Sequence, residues 1–74
     1  MKKNNRVPLY RKVWFKIRYW QNIKEVQDSE LAKYLNVAVR TLRDYDANAK
    51  TISLEKVDNF LYMNNMDIEE LLSL

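Results

Sequence analysis

The chain contains no cysteine and no histidine. It therefore has no disulfide framework or thiolate metal site, and it lacks the side chain that most often serves as base or metal ligand near neutral pH. Glycine is also missing, and there is one proline. Any left-handed backbone position must then be filled by a residue that tolerates it, asparagine before others. No apolar run approaches the length of a membrane span, and the basic start has no uninterrupted apolar block of the kind a secretion signal needs, so a soluble cytoplasmic protein is expected. At 74 residues the chain makes one domain with a modest core and little room for an enzyme's pocket. The acidic neighbours Asp44 with Asp46 and Glu69 with Glu70 are one or two residues apart and do not face each other on a helix. No catalytic residue, metal, cofactor or small-molecule substrate is expected.

What the chain does have is charge in blocks. Residues 1 to 24 hold eight Lys or Arg and no acid, while residues 25 to 74 hold five basic and ten acidic side chains, so the net +3 conceals a basic first third and an acidic remainder. The basic part is a natural polyanion-facing surface, and an acidic protein partner would satisfy it equally well.

The most informative stretch runs from Leu31 to Leu42. Leu31, Ala32 and Leu35 fall on one side of a helix, and the small Ala32 allows close approach of a second helix. Asn36 stands where that helix must end in a left-handed residue. Val37 can plug the corner from beneath, and Leu42 with Tyr45 gives the next helix a buried stripe.

The run Leu31-Ala32 to Val37 and Thr41-Leu42, followed by Ser53-Leu54-Glu55 and Met66-Asp67-Ile68-Glu69-Glu70-Leu71-Leu72, resembles the helix-turn-helix domain of the Cro/XRE phage-repressor family. Ile17-Arg18 falls where that family's first helix carries its own Ile-Arg pair. The resemblance covers residues 17 to 72. It implies an all-α, five-helix domain of lambda repressor-like type over residues 8–74, with the helix-turn-helix at about 28–47. It also implies a bacterial or phage-infected cell as the setting.

In chain order, Met1 to Val7 reads as a flexible basic arm. Pro8 suits a helix's first position. Helix one is expected from Leu9 to Asn22 or Lys24, with Tyr10, Val13, Trp14, Ile17 and Trp20 on its core face. Phe15 and Tyr19 fall on the opposite face among Arg11, Lys12 and Arg18, either covered by basic stems or open to a partner. Asp28 is the expected N-cap of helix two, with Ser29 one position behind it. Helix three should run from Ala38 or Val39 to Ala47 and be ended by Asn48. Ser53 should cap helix four, whose core stripe is Leu54, Val57, Phe60 and Leu61, with Asn64 ending it early. Asp67 and Glu70 form a capping box before helix five, and Met66 can staple to Leu71. Leu71, Leu72 and Leu74 would close the core of a monomer or form the seam of a dimer.

The resemblance makes helix three the recognition helix. Its outward residues Ala38, Val39, Arg40, Arg43 and Asp44 become candidates for reading bases of double-stranded DNA, and Lys2, Lys3, Arg6, Asn48 and Lys50 become candidates for its backbone. Arg40 or Arg43 can bond a guanine edge, and Ala38 and Val39 can touch a thymine methyl. An Arg40–Asp44 surface ion pair is the plainer account of those two. Against DNA stand the absence of a serine cap and the two nearby acids Asp44 and Asp46. The rival reading is an antirepressor-like modulator on the same fold that docks on another transcriptional regulator through Phe15, Tyr19, Arg11, Arg18 and Val39. A homodimer is compatible with either.

Overall fold

The computed structural model describes residues 6–74. Lys2 and Lys3, with most of the expected arm, lie outside the described residues. Five α-helices follow in order: α1 (Leu9–Lys24), α2 (Asp28–Leu35), α3 (Val39–Ala47), α4 (Leu54–Met63) and α5 (Ile68–Leu72), with a 3-10 turn at Ala49–Thr51 after α3. No strand occurs among the described residues, and none of their helices is long and apolar enough to cross a membrane.

The helices share one core. Trp14, Ile17, Leu31, Leu35, Leu42, Phe60 and Leu71 are fully buried, so every helix sends at least one large side chain inward. Among the described residues four edge-to-face ring contacts join different helices, the two tightest being Trp20 against Phe60 with centroids 4.9 Å apart and Trp14 against Tyr45 at 5.1 Å. Each such pair is worth about 0.5–1.5 kcal/mol beyond its buried area. Tyr10 is only half-buried and packs at the core's margin.

Three helix ends use the same device without a glycine. Glu25, Asn36 and Asn65 all adopt left-handed backbone, with φ of 55°, 59° and 53°. At each, the following residue donates its N–H five residues back: Val26 to the Gln21 carbonyl, Val37 to Ala32 and Met66 to Leu61. Each left-handed residue in turn donates three back, which is the Schellman pattern. Val26, Val37 and Met66 are then turned onto the core. The sequence pointed to Asn36 alone. Glu25 is the unexpected one, because a long side chain in this conformation carries a cost that glycine avoids.

Asn36 and Val37 set the corner between α2 and α3, and α4 braces it. Lys56 Nζ donates to the Asn36 carbonyl at 2.9 Å, and Asn59 Nδ2 donates to the Tyr34 carbonyl at 2.7 Å. Ser53 caps α4 by accepting from Lys56 N–H, and Asp67 with Glu70 completes the capping box of α5. Both match expectation. Met66 packs on the same core cluster as Leu71.

Three positions differ from the sequence reading. Pro8 is the residue before α1 rather than its first, and its carbonyl accepts from Arg11 and Lys12 N–H. Gln27, not Asp28 or Ser29, occupies the N-cap of α2, because the Asp28 carboxylate is engaged by Gln21 and Arg18. Leu54 is 83% exposed rather than part of the core stripe. As the first residue of α4 it has no preceding turn to carry its side chain inward, and Val57, Phe60 and Leu61 fill the core without it. Asn48 ends α3 as expected, in extended backbone (φ −162°), and its side-chain oxygen accepts from Lys50 N–H to start the 3-10 turn.

Candidate functional site

α3 is anchored from inside by Leu42 and Tyr45, and this anchoring turns its other face outward. At 100° per residue, Val39, Arg40, Arg43, Asp44 and Ala47 lie within an arc of about 140°. All five are exposed, as is Ala38 just before the helix. The candidate base-reading residues thus form one contiguous surface.

Charge on that surface is arranged differently from the sequence expectation. Both salt bridges found among the described residues belong to Arg18, and Arg40 and Asp44 do not pair. Asp46 does not oppose the α3 arginines on the outer face. It accepts from Arg18 Nε at 3.0 Å and Nη2 at 2.8 Å, and from Trp14 Nε1 at 2.8 Å. Of the two acids counted against an anionic ligand, Asp46 is therefore neutralised from behind and Asp44 alone remains outside.

Arg18 was expected on the partner-facing side of α1. It is instead a clamp. Its Nη1 reaches Asp28 at 3.0 Å and Gln21 Oε1 at 2.6 Å, and its guanidinium lies 5.4 Å from the Trp14 ring centroid. The expectation failed because Arg18 stands beside Trp14 and Gln21 at the edge of the core face, within reach of the starts and ends of the other two helices. One residue of α1 thus fixes the start of α2 and the end of α3.

The ionisation of the clamp follows from these contacts. The Gln21 amide, and after it Arg18, hold the Asp28 carboxyl below its ordinary value. Partial burial pushes Asp46 up, but bonds from Arg18 and Trp14 outweigh it and leave its pKa lowered. The Asp46 bond raises that of Arg18. Gln21, the one buried polar side chain among the described residues, has its donor and acceptor both used.

Lys50 is exposed at the 3-10 turn beside the end of α3, and Arg6 is exposed before α1. Asn48 is exposed, and its side-chain oxygen accepts from Lys50 N–H. Phe15 and Tyr19 are 49% and 50% exposed on the outer face of α1, as expected, with Arg11 stacked 5.3 Å from the Phe15 centroid. Ile23, four residues beyond Tyr19, is equally exposed at 50% and extends the same line. Its spacing carried that signal in the sequence. A shallow apolar groove lined by Leu9, Val13, Ile52, Leu54, Ile68 and Leu72 was not foreseen, because it joins residues from three separate parts of the chain. No cluster of acidic residues suited to a metal ion occurs among the described residues.

Comparison with protein-family models, curated proteins and solved structures returns no match.

Proposed function

We propose that the chain is a sequence-specific DNA-binding transcriptional regulator of Cro/XRE helix-turn-helix type, of the kind phages and mobile elements use as repressors. The observation that carries this reading is the outer face of α3, where Arg40 and Arg43 are exposed and outside any salt bridge while Asp46 is withdrawn to Arg18. An arginine fork left open on a rigid helix suits the O6 and N7 acceptors of guanine in the major groove. Ala38 and Val39 at the start of α3 suit a thymine methyl. Lys50, and Asn48 through its free amide, would hold phosphates and fix register without reading sequence. A homodimer would place two copies of α3 one helical turn apart on a two-fold operator.

The test is duplex binding across a salt series with variants of each class. Affinity should fall steeply as salt rises. Arg43→Ala should cost about 1–3 kcal/mol at the preferred site and relax preference there, whereas Lys50→Ala should weaken all sites alike and flatten the salt slope by about one. Failure to retain mixed duplex at low salt removes the proposal.

A second reading is favoured by the exposure of Val39 beside Ala38, which gives α3 an apolar tip. A modulator of this kind would set that tip against another regulator's DNA-reading surface. Val39→Asp should then abolish the complex while leaving the domain folded, and unchanged binding would exclude it.

A further inference from the structure

The outer face of α1 is a ridge with no counterpart in this fold. Phe15, Tyr19 and Ile23 are spaced one helical turn apart, each about half exposed, and they form a straight apolar line of about 12 Å. The rest of the domain lies against the opposite side of α1, where Val13, Trp14, Ile17 and Trp20 are buried. Three large side chains aligned in this way are more than scattered surface residues require.

α1 itself carries charge of one sign, and Asp46, the acid that lines the cavity beside Arg11 and Phe15, is engaged by Arg18. α1 carries five Lys or Arg and no Asp or Glu. Two of the five are occupied: Arg18 holds Asp28 and Asp46, and Lys16 donates to the Leu74 carbonyl. Arg11 and Lys12 remain beside Phe15 with no acid in the first turn to offset them. Cations near a helix N-terminus oppose the helix dipole, so local helix stability does not account for their presence. An anionic neighbour would.

We infer that the Phe15, Tyr19 and Ile23 ridge of α1 docks an acidic amphipathic helix of a partner protein, which lays an apolar stripe along the ridge and carboxylates against Arg11 and Lys12. A ridge with one-turn spacing fits the groove between side-chain rows of a second helix. A second copy of this chain offering the same face would bring like charges together, which complementary interfaces avoid. The surface belongs to α1 alone and shares no residue with the outer face of α3, so it stands whether or not α3 holds DNA.

The probe is a synthetic helical peptide with leucine at i, i+4 and i+8 flanked by glutamate, together with its twin carrying lysine for glutamate. Binding to the full chain is followed by titration calorimetry. The glutamate peptide should bind, with affinity falling as salt rises, and the lysine twin should bind at least about tenfold more weakly. Phe15→Ala with Tyr19→Ala should weaken the glutamate peptide at least about tenfold. Both rings are half exposed, so an unchanged circular dichroism melt will show that the variant still folds. Arg11→Glu with Lys12→Glu should reverse the peptide preference, and Arg40→Ala should leave it unchanged. The proposal is overturned by no binding of the glutamate peptide at millimolar concentration, by equal binding of the two peptides, or by an undiminished double-alanine variant. It is also overturned if the ring substitutions instead abolish binding to phosphatidylglycerol vesicles or mixed duplex, or convert a dimer to a monomer on light scattering.

Discussion

Replacing Arg18 by methionine keeps the stem that lies over Trp14 and removes the guanidinium that joins three helices. An exposed ion pair contributes about 0.2–1 kcal/mol, and removing one partner of a fully buried pair costs about 3–5 kcal/mol. The clamp falls between these. The Arg18 side chain keeps 25% of its exposure, and those of Asp28 and Asp46 keep 41% and 45%, so water screens part of the interaction. The carboxylates would be rehydrated rather than stranded, and Asp46 would retain the Trp14 N–H. Against that, the Asp46 contact is two-pronged, a geometry stronger than a single charged bond. We expect Arg18→Met to cost about 2 kcal/mol. A domain of this length holds about 4–11 kcal/mol in total, so the loss is large, and it corresponds to a fall of about 8–16 °C in Tm.

Urea unfolding followed by tryptophan fluorescence measures this directly. Both carboxylates are held below their ordinary values. Their contribution is therefore fully present above the unfolded carboxylate pKa of about 4 and is lost as pH falls through the folded values. The raised pKa of Arg18 lies beyond the accessible range and adds no pH dependence there. The difference between wild type and variant should be constant from pH 6 to 8, shrink below about pH 4 and then close. A variant within about 0.5 kcal/mol of wild type at pH 7, or a gap that persists once both carboxylates are protonated, would refute the assignment.

Two further expectations follow from the backbone and the core. Glu25→Gly should stabilise the domain by about 0.5–1 kcal/mol in thermal melts, because it relieves a left-handed non-glycine residue, and Asn36→Gly should gain less because asparagine already tolerates that conformation. A loss of stability in Glu25→Gly would contradict the helix-end geometry. Leu54→Ala should change stability by no more than about 0.5 kcal/mol, whereas Phe60→Ala should cost about 3–5 kcal/mol, and equal effects would place Leu54 in the core after all.

Much of the helical layout was legible from neighbours in the chain. The corner at Asn36 and Val37, whose backbone N–H groups return to carbonyls three and five residues back, and the Ser53 cap and Asp67–Glu70 box, in which a side chain serves backbone three residues away, are all local patterns. So is the separation of Phe15 and Tyr19 from the buried stripe of α1, which needs only the helical period. The outward placement of Ala38, Val39, Arg40, Arg43 and Asp44 followed from burying Leu42 and Tyr45.

Competition between distant groups for the same side chain was not legible. Asp28 reads as a cap until Arg18 and Gln21 are brought beside it, and Asp46 reads as a surface acid until Trp14 and Arg18 reach it across 32 and 28 residues of sequence. Glu25 carries no chemical sign of left-handed backbone; docking Val26 onto the core imposes it. The sequence by itself determined which segments are helical, which faces most of them bury and how basic the first of them is, because those depend on periodicity and local hydrogen bonding. Tertiary structure alone decided which charges are spent inside the fold and which remain outside, because a carboxylate's partner is set by packing in three dimensions.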